Sequence, residues 1–160
     1  MSSANITTVL VEMLEDAYRR QAWHGTNLRG SIRGLTLDRI CWRPAPDRHN
    51  IWEIVVHCAY WKYTVRRRLT GEKRGSFPLR GSNWFRRPVE RTAAAWNSDL
   101  QLLETMHRML VATIDELTDK ELAKSIATKK FTHRQTIQGI ALHDVYHAGQ
   151  IQLLKRLRQK

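Results

Sequence analysis

A chain of 160 residues, 42% of them hydrophobic and six of them tryptophan, is long enough to bury one full core and too short for two ordinary ones. No stretch approaches ~20 apolar residues, Met1 to Leu10 lack the charged start and apolar run of a secretory signal, and Cys41 and Cys58 form no C-x-x-C pair, which argues against a spanning helix, a secreted protein, a disulfide scaffold and a thiolate zinc site. With 27 Lys and Arg against 15 Asp and Glu the net charge is +12, a field that suits nucleic acid, an acidic membrane surface or a small carboxylate or phosphate and does not choose among them.

The first segment carries Ile6, Val9, Leu10, Met13, Leu14 and Ala17 at spacings of three and four, which predicts a helix. The same face continues through Gln21, His24, Leu28, Ile32 and Leu35, and it turns His24 inward if the helix runs on through Gly25 and Gly30. Arg43-Pro44-Ala45-Pro46-Asp47 is a loop, because proline restricts its predecessor and cannot continue a helix. Asn50 then caps a second helix, with Glu53 placed to reach back in a capping box. Its stripe is Ile51, Ile54, Val55, Cys58, Trp61, Val65 and Leu69, and Gly71 closes it. His57 lies beside that stripe, where a histidine is as often half-buried and idle as functional. Residues 72–88 make a long basic loop with Gly75, Pro78, Gly81 and Pro88, of a length that often marks lids and binding loops.

A third helix shows a seven-residue repeat, Trp96, Leu103, Leu110 and Leu117, with Leu100, Met106 and Ile114 filling the face. His107 falls at its edge and reads as a surface residue. A short helix over 117–122 and a cap at Thr132 or Thr136 precede the last helix, whose inward stripe is Ile140, His143, His147, Ile151 and Leu154. Four amphipathic helices without strand alternation predict an all-α four-helix bundle, one domain over residues 1–160 of a soluble, cytoplasmic protein. Basic clusters at 66–68, 73–74, 86–87 and 155–160 read as a solvated rim or an anion-attracting surface. None is interleaved with aromatics as a single-strand stacking platform would be.

Two imidazoles thus stand where the last stripe should carry aliphatics. Residues at i and i+4 share a helix face with Cβ atoms roughly 5–6 Å apart, which lets two ring nitrogens converge on one ion. The plainer alternative is a pair of core histidines bonded to carbonyls, since a neutral imidazole needs only one donor and one acceptor partner. Facing helices of a bundle deliver ligands into a shared core, which makes His57 the partner for His143 and His147. Three neutral imidazoles suit zinc or nickel, and also iron or cobalt, while the lack of a carboxylate cluster disfavours magnesium and calcium. Such a set leaves a position open, where water or a substrate sulfur or oxygen is activated. His143-Asp144-x-x-His147 imitates the H-E-x-x-H helix of zinc proteases with a shorter acid and no metzincin extension, which disfavours a protease. Asp144 reads equally as the partner of a basic group or as support for a ligand histidine.

Trp23-His24-Gly25, Asn50-Ile51-Trp52-Glu53-Ile54-Val55-Val56-His57 and His143-Asp144-Val145-Tyr146-His147-Ala148-Gly149-Gln150-Ile151, in this order along the chain, resemble the DinB/YfiT-like superfamily. The resemblance implies a four-helix bundle, often a homodimer, with a divalent metal held by a histidine of the second helix and the H-x-x-x-H pair of the last. Those positions are His57, His143 and His147 here. It also implies either a thiol-dependent transferase or isomerase using a low-molecular-weight thiol, or a metal-dependent hydrolase. His24 lies outside the triad and is expected as a pocket residue, with Asp144 or Tyr146 supporting a ligand histidine or metal-bound water through a hydrogen bond. The leading expectation is a metal-dependent enzyme acting on a small anionic substrate. Its rival is a non-catalytic metal-containing protein whose basic surface contacts nucleic acid; a membrane partner is not expected. Trp42, Trp52 and Trp84 are expected to anchor a homodimer interface.

Overall fold

The computed structural model describes residues 5–126 and 130–158; Gln159 and Lys160 of the C-terminal basic cluster lie outside the described residues. Where the periodicity predicts four main helices, the described residues form seven: α1 (Ile6–Tyr18), α2 (Leu28–Ser31), α3 (Leu37–Cys41), α4 (Ile51–Thr70), α5 (Ala93–Asp115), α6 (Asp119–Leu122) and α7 (His133–Leu157). No strand occurs among them, and no helix is long and apolar enough to cross a membrane. The four long helices close a ring, with α4 packed on α5 and α7 and with α1 completing the circle against the same two.

Local chemistry sets the ends of these helices. The first stripe does not run on to Leu35, because α1 stops at Tyr18 and the chain reverses through a turn in which Gly25 adopts φ +103°. Leu28 and Ile32 still reach the core, from α2 and its cap, whereas His24 is left exposed. At α4, Asn50 Oδ1 accepts from Glu53 N at 2.8 Å, and Gly71 ends the helix in the left-handed region at φ +75°. The expected return bond from Glu53 is missing. Its carboxylate takes the Arg43 guanidinium at 2.6 and 2.7 Å instead, since a bidentate charged pair outcompetes one backbone N–H. Thr132, not Thr136, starts α7 in a full capping box with Gln135.

Two residues expected at the surface lie inside. Trp52 is fully buried, donates its indole N–H to Asp99 Oδ2 at 2.6 Å and meets the Trp96 ring edge-on, so it cannot anchor an interface. Trp42 and Trp84 are half-buried. His107 is equally buried: it stacks on Tyr18 at 3.8 Å and its Nε2 lies 3.0 Å from Glu15 Oε1. The edge of the α5 stripe is covered by α1, which periodicity within α5 does not show. Burial and the Lys62 charge pull this imidazole down to about 3, so it is neutral and Nε2–H donates to Glu15.

Between α4 and α7 lies an ion pair of Lys62 Nζ and Asp144 Oδ2, with both side chains wholly removed from solvent. The ammonium also sits 4.9 Å over the Tyr18 ring. This pair joins the two helices that carry the three histidines.

Candidate metal centre

Helix α4 presents His57, and α7 presents His143 and His147 one turn apart. His143 Nε2 stands 3.2 Å from His57 Nε2 and 3.1 Å from His147 Nε2, so the three rings share one focus. The far nitrogens decide what these atoms carry. His57 Nδ1 lies 2.8 Å from the Asn83 carbonyl oxygen, which only accepts; the proton is therefore on Nδ1, and Nε2 offers a lone pair. His147 Nδ1 donates to Gln150 Oε1 at 2.7 Å with the same result.

Two lone pairs thus face His143 Nε2, which has at most one hydrogen to give. A shared N–H···N bond satisfies one neighbour and leaves the other opposed to it, whereas a cation accepts from all three. Zinc–nitrogen bonds of ~2.0–2.1 Å place tetrahedral donors roughly 3.3–3.4 Å apart, and the observed spacings come close to that. Burial pulls His57 down to about 4 and His143 to about 3, and it lowers His147 as well, so all three imidazoles are neutral at pH 7 and their lone pairs are free.

A second group, Cys58, His143 and Asp144, also brings one ligating atom from each residue within 4.8 Å of the others. It makes a poorer donor set. Asp144 is already engaged by Lys62, and burial pushes the Cys58 thiol well above its ordinary range, which keeps it protonated.

The loop over residues 72–88 walls the site. Trp84 is sandwiched between His57 at 3.8 Å and His49 at 3.6 Å, with both pairs of rings nearly parallel. Asn83 serves twice: its carbonyl accepts from His57, and its Oδ1 accepts from Trp61 Nε1 at 2.9 Å. It does so at φ +65°, a left-handed conformation that asparagine tolerates better than most residues. Farther back, Gly75 N donates to Tyr63 Oη at 3.2 Å, and Phe77 and Phe85 pack on Tyr60.

Of the expected supporting residues, none hydrogen-bonds a histidine of the triad. Asp144 follows His143 directly, so on a helix it points about 100° away, into the interior, where Lys62 meets it. Tyr146 is rotated toward solvent, 64% exposed, with its ring centroid 5.1 Å from that of His147. His24 lines a surface hollow with Trp23 and Val145, carried there by the end of α1 at Tyr18. The supporting partners are Asn83, Trp84 and Gln150. Only Gln150 had a readable signal, its i+3 spacing from His147.

A family model of the DinB superfamily matches residues 20–151. The chain belongs to the DinB superfamily. No curated protein and no solved structure matches it. The matched region of this DinB chain takes in α2 to α6 and most of α7, and so includes all three histidines and the loop that walls them.

Proposed function

We propose that this DinB-superfamily protein is a metal-dependent enzyme, a thiol-dependent transferase or a hydrolase, that holds zinc or nickel on His57, His143 and His147 and acts on a small anionic substrate. The observation that carries the reading is the convergence of three Nε2 atoms, two with lone pairs fixed by donation from Nδ1 to Asn83 and Gln150. A bound ion of this kind supplies Lewis-acid chemistry, lowering the pKa of a water or thiol that joins it. The chain's own residues do the remaining work. Trp84 and Asn83 hold His57 in one orientation and tautomer, Gln150 does the same for His147, and the Trp84 ring keeps water off the His57 face. His143 is the most exposed of the three and marks the open side, toward which an excess of twelve positive charges draws anions.

A homodimer fits the surface. Leu142, Tyr146, Leu153 and Leu157 form an exposed apolar stripe along the outer face of α7, the kind of patch a second copy covers. Light scattering of the full chain at micromolar concentration tests it; a monomer rejects it.

The test of function is metal analysis of protein purified without chelator or nickel resin, followed by a thiol-transfer screen. We expect about one equivalent of metal per chain, and in His147→Ala a loss of affinity of about a hundredfold or more with the helical circular dichroism retained. Metal-free protein with steeply salt-dependent affinity for duplex DNA would replace the enzyme reading by a nucleic-acid-binding one.

A further inference from the structure

We infer that a cleft between α4 and α7, leading from His143 to Arg68, binds the substrate of this site, and that the substrate is a carboxylate on an apolar body of about one ring and a short chain. The inference rests on the metal-site reading and gives its substrate a chemical class.

The cleft has a volume of about 260 Å³ and opens beside the exposed edge of His143. Its walls are mainly hydrocarbon, Trp61 and Val65 from α4, Ile140 from α7, and Ile126 and Phe131 from before α7, with Gln135 and Thr136 at the start of α7 as polar lining. A cavity of ~150 Å³ takes a benzene ring, so this one holds a ring with a short chain attached.

Cations also border the cleft. Arg68 Cζ lies 5.7 Å from the Trp61 ring, whose centroid is 6.2 Å from that of His143, so guanidinium and imidazole both neighbour one indole. Lys130 Nζ lies 5.3 Å from the Phe131 ring at the rim. The preceding arginines on α4 are both occupied by Glu72, Arg66 through its carboxylate and Arg67 through its carbonyl. Arg68 has no carboxylate within 4.0 Å among the described residues. The Arg68 side chain is half-buried along this hydrocarbon wall, and a carboxylate satisfies the planar fork of its guanidinium.

Gly139 is the second observation. It lies within α7, where glycine is about 1 kcal/mol less favourable than alanine. Its conformation is ordinary, and a Cβ built there meets nothing within 4 Å, so neither backbone strain nor close packing requires it. What the missing side chain does is leave the solvent-facing rim of the cleft open. A carboxylate at Arg68 then directs the other end of the molecule toward His143.

The test is calorimetric titration of the zinc-loaded full-length chain with hydrocinnamate, hydrocinnamyl alcohol, acetate and phenyl phosphate. Hydrocinnamate is expected to bind at one site, about tenfold or more tighter than its alcohol, with acetate unable to compete. Arg68→Gln should bring hydrocinnamate to the level of the alcohol. Gly139→Leu, which fills open space, should weaken both by about tenfold or more without lowering the melting temperature. Equal binding of acid and alcohol, competition by acetate, tighter binding of phenyl phosphate, or an Arg68→Gln variant that binds as wild type would each overturn the inference. Zinc content measured on the same samples separates the two readings. Zinc held without hydrocinnamate binding rejects the cleft alone; the expected ligand pattern in protein that retains no zinc upholds the cleft and rejects the metal site.

Discussion

Glu53 is a buried carboxyl kept ionised by its neighbours. Burial by itself pushes the group up, but hydrogen bonds from Arg43, from His49 and from the Arg87 backbone N–H override this and bring it down to about 2. Its ordinary value is 4.5, so the folded state binds this proton more weakly than the unfolded chain. The stabilisation is complete above the unfolded value and is lost as the pH falls through the folded one. Urea unfolding should therefore show stability dropping from about pH 5 toward about pH 2, and Glu53→Gln should cost about 2 kcal/mol at neutral pH and flatten that part of the profile. The His143–His147 pair was legible residue by residue, because i,i+4 spacing and an inward stripe are properties of one helix, whereas His57 stands on α4 and joins them only through the packing expected of a bundle. Asn83 and Trp84 were not, since nothing periodic fixes the path of a loop, and their roles exist only after it folds against α4. His107 was misplaced for a related reason: the Tyr18 ring and Glu15 that enclose it belong to another helix.

At the scale of elements, the long helices were readable and the short ones mostly were not. A helix of four or five residues, such as α2 or α3, spans little more than one turn and cannot display a 3.6-residue period. The short α6 was visible through its connector and is fixed by a capping box of Thr118 and Glu121. The same device opens α7: Gln135 N donates to Thr132 Oγ1 at 3.2 Å, and Thr132 N donates to Gln135 Oε1 at 2.9 Å. Thr132→Ala is expected to lower stability by about 1 kcal/mol. Urea denaturation should show this as a shifted midpoint with unchanged slope, and metal content should be unaffected because His143 lies nearly three turns farther along.

For the whole molecule, the ring of four long helices explains how α4 and α7 meet, but aliphatic contacts tolerate small slides that three converging nitrogens do not. The Lys62–Asp144 pair bears on this difference. Removing one partner strands a buried charge, so Lys62→Met alone should cost about 3 kcal/mol. Replacing both, Lys62→Met with Asp144→Leu, should leave the urea midpoint near wild type, because two hydrocarbons satisfy each other. The consequence lies in uniqueness and not in stability. Without a charge that fits only one partner, neighbouring registers of α4 against α7 become close in energy, and the molecule divides itself among them. We expect doubled histidine signals in the NMR spectrum of the double variant and metal affinity at least about tenfold weaker at unchanged stability. A single set of signals with wild-type affinity would assign the register to the aliphatic contacts alone.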